Sequence, residues 1–307
     1  PKLYNQIPSF YERLGLIDSG TYGKVFRIKK NTNQKTYACK EIQAFQKVGQ
    51  FVTSSFRELN LLFCFKHPNI IFTREAVFGI QRAQLFFIME YCEYDLKSIL
   101  DSQIKFSLPQ IKIIIKQLLR GLCVLHDNWV IHRDLKTSNI LLNYKGLIKI
   151  CDFGLARLYY PGSSFMTQGV VTLWYRAPEV LLGQKIYGPS IDIWSIGCIL
   201  GELMLNEVLF SGKSELDQLG KIFGIIGTPT SEIWIDLHSS NVAKKIIFPI
   251  QPYNNLKKKM GKNLDLKTFE LLQRFLTYDP NKRITARGAL NHSFFFLENI
   301  ENLFYQN

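Results

Sequence analysis

Apolar and polar positions alternate along residues 11 to 91, and the spacing turns helical through most of the chain beyond. Tyr11 to Ile17 reads as a strand running to Gly20 and Gly23. Lys24 to Lys30 alternates, Asn31 to Lys35 has turn composition, and Thr36 to Ile42 resumes a strand. Ser55 followed by Glu58 has the form of a capping box opening a helix through Leu59, Leu61 and Leu62. Leu85 to Tyr91 has strand length and composition and no helix cap. From Asp95 onward helices dominate. Ser107 and Gln110 can cap one another, Pro109 suits a first turn, and Ile111, Ile114, Ile115, Leu118, Leu119 and Leu122 mark a buried side. A second apolar helix follows Ser190, with Ile191, Trp194, Ile196, Ile199, Leu200 and Leu203. A third covers about 266–277, and Thr285 starts a short fourth before Asn291. The pattern predicts an α+β chain with a strand-rich part over 11–91, a larger helical part over 92–296, and a C-terminal tail of unassigned origin over 297–307.

Composition narrows the class. With 307 residues, 47% hydrophobic and 21% charged, the chain has an ordinary globular balance and can bury large cores. The formal charge of +13 favours acidic partners, but no Arg/Lys tract dominates, so it is no strong signal for direct nucleic-acid binding. Lys257 to Lys259, the densest positive run, reads as a solvated surface. The six cysteines lie far apart and form no C-x-x-C pair, which suggests neither a zinc site nor a disulfide scaffold and fits a reducing compartment. No apolar stretch approaches the length of a membrane span, and Pro1-Lys2-Leu3-Tyr4 lacks signal-peptide form, so a soluble intracellular protein with no membrane partner is expected. An opening without an initiator methionine suggests a trimmed domain.

Candidate chemistry starts at Gly20-Thr21-Tyr22-Gly23, where absent Cβ atoms let backbone approach phosphate oxygens; a tight hairpin explains the glycines equally well. The P-loop pattern would instead place Gly-Lys-Ser/Thr directly before a helix. Lys40, in Tyr37-Ala38-Cys39-Lys40, reads either as a surface strand lysine or as an inward phosphate-binding cation, and Glu58 either as its counterion or as the cap of Ser55. The decisive constellation is Ile131-His132-Arg133-Asp134-Leu135-Lys136-Thr137-Ser138-Asn139. Asp134 and Asn139 are five residues apart, and Asp152-Phe153-Gly154 comes 13 residues after Asn139, behind the strand Leu147 to Cys151. Asn139 and Asp152 offer the hard oxygen ligands Mg²⁺ prefers, while Asp134 can orient a hydroxyl and accept its proton. Lys136 can follow developing phosphoryl charge. With Ala177-Pro178-Glu179, these motifs form the protein-kinase signature set, in order.

From about residue 10 to 296 the chain resembles the bilobal eukaryotic protein-kinase fold, with a small antiparallel-sheet N-lobe and a large helical C-lobe. It is most similar to the cyclin-dependent kinase branch, and within it to the PITSLRE group. The resemblance rests on Val52-Thr53-Ser54-Ser55-Phe56-Arg57-Glu58, the Thr137-Ser138 pair, Val170 to Glu179, Gly212-Lys213-Ser214-Glu215 and Pro252-Tyr253-Asn254-Asn255-Leu256. It implies an ATP site in which Ile17, Val25, Ala38 and Leu141 enclose adenine and Met89 stands behind it. The backbone of Glu90 and Cys92 would bond the base edge, Asp95 would reach the ribose, and Gly20 and Gly23 would cover the phosphates. Lys40 would pair with Glu58, Asp192 would buttress the His132-Arg133 backbone, and Glu179 would pair with Arg283. Asp18 departs from the family pattern, which carries the first glycine of the phosphate loop there; altered nucleotide affinity is the expectation.

The same resemblance implies an ATP:protein serine/threonine phosphotransferase that uses ATP and Mg²⁺, is proline-directed and cyclin-activated, and acts in transcription or pre-mRNA processing. An L-type cyclin, an upstream activating kinase and Ser/Thr-Pro substrates are the implied partners, and the nucleus, with the cytoplasm as a second location, the implied site. Thr167 would take an activating phosphate held by Arg57, Arg133 and Arg157; Thr21 and Tyr22 match an inhibitory phosphorylation pair. Val170, Val171 and Arg176 would form the platform for the substrate proline. The alternatives are a cell-cycle cyclin-dependent kinase and a catalytically weak pseudokinase scaffold.

Overall fold

The structure, a computed structural model, describes residues 10–20, 23–43, 63–78, 84–159, 172–239, 244, 249–261 and 264–296. The predicted Ser55–Glu58 helix start lies outside them. Contacts divide the chain into two compact units, Pro1–Tyr94 with Leu141–Ala156, and Asp95–Ile140 with Arg157–Asn307.

The first unit is built on a five-stranded antiparallel sheet of β1 (Tyr11–Gly20), β2 (Gly23–Lys30), β3 (Thr36–Gln43), β4 (Thr73–Phe78) and β5 (Gln84–Glu90), in the order β1-β2-β3-β5-β4. Alternation sends Phe26, Ile28, Tyr37, Cys39, Phe86 and Ile88 to one face, where they close a core with Tyr11. β1 reaches Gly20, as the sequence indicates, with two register shifts, at Arg13/Gly15 and Leu16/Asp18, that absorb extra residues. The edge strand β4, which the sequence pattern did not reveal, has a mixed composition, Thr-Arg-Glu-Ala-Val-Phe. A hairpin from Leu141 to Ile150 joins this unit. Asn143 Oδ1 accepts the Lys145 and Leu147 N–H groups at 3.0 Å each, and Gly146 takes φ 74° in the turn. Ile70 bridges Ile150, and Asn69 Nδ2 donates to the Ile148 carbonyl at 3.0 Å, tying the hairpin to the segment that leads into β4.

The second unit is helical: α1 (Leu96–Asp101), α2 (Leu108–Asp127), α3 (Pro178–Leu181), α4 (Ser190–Leu205), α5 (Glu215–Ile226), α6 (Leu256–Met260), α7 (Leu266–Phe275) and α8 (Ala286–Leu290). The predicted Ser107/Gln110 capping box opens α2, and Thr285 caps α8 through the Gly288 N–H at 3.0 Å. α4 is buried almost throughout, as a helix apolar on most of its circumference must be, and it takes Asp192, Ser195 and Glu202 into the interior with it. A Cβ at Gly197 would stand 2.8 Å from Phe275, and one at Gly201 2.7 Å from Leu209, so these glycines admit close packing against α4. α5 escaped the sequence pattern because Gly220 and Gly224 dilute its helical signal, although Ser214 caps it. Lys257 to Lys259 are exposed on α6, as expected.

Candidate active site

In the first unit, strand register gathers the nucleotide-side candidates. Lys40 lies opposite Val25 on β2 and Phe87 on β5, and Ala38 lies opposite Met89, so alternation puts Val25, Ala38, Lys40 and Met89 on the sheet face away from the core. Lys40 is buried, and its Nζ lies 3.0 Å from Asp152 Oδ1. The hairpin fixed by Asn69 and Ile70 delivers Asp152, which takes a left-handed conformation at φ 62°. For a non-glycine residue that conformation costs on the order of 1 kcal/mol, which the surrounding contacts must offset. The Glu90 carboxylate accepts the Phe72 N–H at 2.7 Å and sits 2.8 Å from Lys149 Nζ, fixing the chain as it leaves β5. Burial and the Glu90 charge push the Cys92 thiol up to about 12.

In the second unit, a short strand pair, Val130–Ile131 with Arg157–Leu158, leads into the loop carrying Asp134. Asp192, buried on α4, accepts the His132 N–H and the Arg133 N–H at 2.9 Å each, and its Oδ2 lies 3.0 Å from His126 Nε2. The expected buttress is therefore formed. Around Asp134 every carboxylate contact has a direction. Oδ1 accepts the Thr172 N–H at 3.1 Å and the Thr172 hydroxyl at 3.0 Å. Oδ2 lies 2.9 Å from Lys136 Nζ and accepts the Asn139 amide at 3.1 Å. Lys136 also donates to Thr172 Oγ1 at 3.1 Å. This leaves Asp134 charge-assisted and rotationally fixed. Glu179 and Arg283 form the expected buried pair, at 2.7 and 3.0 Å.

Residues 11–295 match the protein kinase domain family. The chain belongs to that family. Among relatives of this kinase domain, cyclin-dependent kinase G-1 of Oryza sativa subsp. indica is 47% identical over 293 residues, covering 93% of this chain and 42% of that protein. Cyclin-dependent kinase 11B of Homo sapiens is 44% identical over 286 residues, covering 93% and 36%. Cyclin-dependent kinase G1 of Arabidopsis thaliana is 44% identical over 298 residues, covering 93% and 48%. This kinase domain thus spans less than half the length of these three relatives.

Several predicted positions have a described setting. Ile17 is exposed within the second β1 register shift, Leu141 is half-buried at the start of the hairpin, and Asp95 caps α1, accepting the Ser98 N–H at 2.8 Å. Arg133 donates to the Tyr187 hydroxyl at 3.0 Å, Arg157 pairs with Ile131 in its strand, and Arg176 meets Glu215 at 2.5 Å. Glu58, Arg57, Thr21, Tyr22, Thr167, Val170 and Val171 lie outside the described residues, so Lys40 is seen with Asp152 and its expected Glu58 partner is not described. Asp152 belongs to the first unit and Asn139 to the second. Sequence reasoning missed Thr172, the residue that clasps Asp134; its place inside Val170–Glu179 was the available signal.

The donor chemistry fits Mg-ATP, which this family uses. Among the described residues no group of three or more His, Cys, Asp or Glu could hold a metal alone. Asp152 in the first unit and Asn139 in the second each offer a hard oxygen donor of the kind Mg²⁺ takes beside phosphates and water. No helix among the described residues is long and apolar enough to cross a membrane.

Proposed function

We propose that this chain is the catalytic domain of an ATP:protein serine/threonine kinase that is proline-directed and cyclin-activated and acts in transcription or pre-mRNA processing in the nucleus. The observation that carries the reading is the clasp of Asp134 by Thr172, Lys136 and Asn139. Bound Mg-ATP supplies the phosphoryl group and the metal that neutralises its charge. Asp134 orients the acceptor hydroxyl and takes its proton at the carboxylate, while Lys136, already 2.9 Å from that carboxylate, follows the moving negative charge. Asn139 and Asp152 hold the metal. Lys40 binds the nucleotide phosphates, with Glu58 as its counterion once cyclin presses on the Phe51–Phe56 stretch.

Val25, Ala38, Leu141, Ile17 and Met89 enclose adenine, the Glu90 and Cys92 backbone bonds its edge, Asp95 reaches the ribose, and Gly20 and Gly23 cover the phosphates. Thr167 takes the activating phosphate from an upstream kinase, and Arg57, Arg133 and Arg157 gather round it. Phosphate on Thr21 or Tyr22 opposes ATP. Val170, Val171 and Arg176 favour proline after the target Ser or Thr, because proline has no N–H to leave unsatisfied. The relatives' shared designation as cyclin-dependent kinases supports a cyclin partner, and the PITSLRE resemblance an L-type one.

The test is affinity capture of the native kinase, identification of its cyclin, and a kinase assay on the same eluate. Peptides differing only in Pro or Ala after the target residue are compared, beside Asp134→Asn and Thr167→Ala. Transfer that requires Asp134, Thr167 and a bound cyclin is expected. Equal turnover by wild type and Asp134→Asn, free of contaminating kinases, sinks the assignment.

A further inference from the structure

Thr137, Tyr175 and Glu202 are buried together in the second unit, and none of them figured among the predicted site residues. Tyr175 Oη lies 2.6 Å from Glu202 Oε2, Thr137 Oγ1 lies 3.3 Å from Glu202 Oε1, and the two hydroxyl oxygens are 3.0 Å apart. Each contact needs one proton. The hydroxyls carry one each, and an ionised carboxylate carries none, so an anionic Glu202 leaves one of the three contacts without a donor. A neutral carboxyl supplies the missing proton: Glu202 donates to Thr137, Thr137 to Tyr175, and Tyr175 back to Glu202. Every group then donates once and accepts once.

The surroundings agree. Burial raises the Glu202 pKa, against the opposing hydrogen bonds of Tyr175 and Thr137. The other charges facing it are Lys97 and Asp101 of α1, which pair with each other, and the nearby Cys198 thiol is kept protonated by burial.

We infer that Thr137, Tyr175 and a neutral Glu202 form a closed hydrogen-bonded ring that sets the Asp134 loop against the segment carrying Thr172, making Thr137 and Glu202 positioning residues for phosphoryl transfer. The inference rests on the kinase reading above. Thr137 directly follows Lys136, which contacts both Asp134 and Thr172. Tyr175 lies three residues beyond Thr172, and its carbonyl accepts the Ser195 hydroxyl of α4 at 2.9 Å. The ring therefore joins, through the central helix, the two segments that each hold one side of the Asp134 carboxylate.

Thr137→Val removes the hydroxyl at nearly constant volume, and Thr137→Ser keeps it. In the activated, partner-bound kinase, Thr137→Val should lower peptide kcat about tenfold, the 1.4 kcal/mol of one alignment contact, with KM for ATP unchanged; Thr137→Ser should restore it. Both are assayed at a temperature where thermal unfolding shows them folded. Infrared spectra near neutral pH should show a protonated-carboxyl band in wild type that disappears in Glu202→Gln and moves in Thr137→Val. Wild-type kcat in folded Thr137→Val overturns the positioning role, and absence of the band overturns the neutral ring. A wild-type chain that transfers no phosphate overturns the kinase reading and the positioning role with it, while the band still decides the ring.

Discussion

Asp192 holds Arg133 in a left-handed backbone conformation: its Oδ1 accepts the Arg133 N–H at 2.9 Å while Arg133 sits at φ 66°. Oδ2 takes the preceding His132 N–H, so one buried carboxylate satisfies two consecutive amides and offsets the strain beside Asp134. Burial alone would raise the Asp192 pKa, but the hydrogen bond and charge of His126, with His132 and the Arg133 amide, hold it below its ordinary value. With a depressed folded pKa, this contribution is complete above the ordinary carboxylate range and is lost as pH falls through that range and below. Asp192→Asn leaves one amide facing an NH₂ group and should cost about 1–3 kcal/mol near neutral pH. Urea titrations should show the difference between variant and wild type narrowing in acid. A pH-independent gap would refute this account.

The 3.0 Å contact of Lys40 with Asp152 predicts coupled effects on nucleotide use. Lys40→Met and Asp152→Asn should each depress turnover, and the double variant should be less impaired than the product of the singles. The expected coupling is about 1 kcal/mol or more, because each single change leaves the other charge without this neighbour. Strict additivity in single-turnover transfer would show that the two act independently.

Asp18 stands where the family pattern has glycine, yet its Oδ1 accepts the next N–H, that of Ser19, at 2.7 Å. The exposed carboxylate is thus engaged with its own backbone, and screening weakens its reach at physiological salt. Asp18→Gly should therefore change KM for ATP by no more than about twofold at physiological ionic strength, and somewhat more in low salt. A large tightening that persists in high salt would place the charge against the phosphates.

How far the sequence could be read depends on where each signal is stored. The Ser107 box, the Thr285 cap and the alternation of β2 and β3 are local, and all formed as the residues indicate. Asp192 was also legible, because a charge within an apolar helix demands a partner, and Arg283 was legible through the family resemblance that pairs it with Glu179. Thr172 and Glu202 were not. A threonine between Val171 and Leu173 and a glutamate near a helix end look ordinary until tertiary packing brings Asp134 to one and Thr137 with Tyr175 to the other. β4 was lost for the opposite reason: its local composition is weak, and neighbours supply what periodicity does not.

Glu179 and Arg283 give the last prediction. Both are buried, and Arg283 spends its whole donor fork: Glu179 twice, and the carbonyls of Thr277, Ser190 and Tyr278 once each. Arg283→Lys offers three donors from a single nitrogen and cannot reproduce that geometry. Arg283→Met removes the cation and leaves the Glu179 carboxylate in a dry site. Arg283→Met should cost about 3–5 kcal/mol and lower Tm by roughly 10 °C. Arg283→Lys should recover only part of that loss. Pairing Arg283→Met with Glu179→Gln should recover part as well, since the buried charge is then gone, although the three carbonyls still lack their donor. Thermal and urea unfolding of the three variants beside wild type measures all of this. If Arg283→Lys matches wild type, the planar fork is not what holds Glu179 in place.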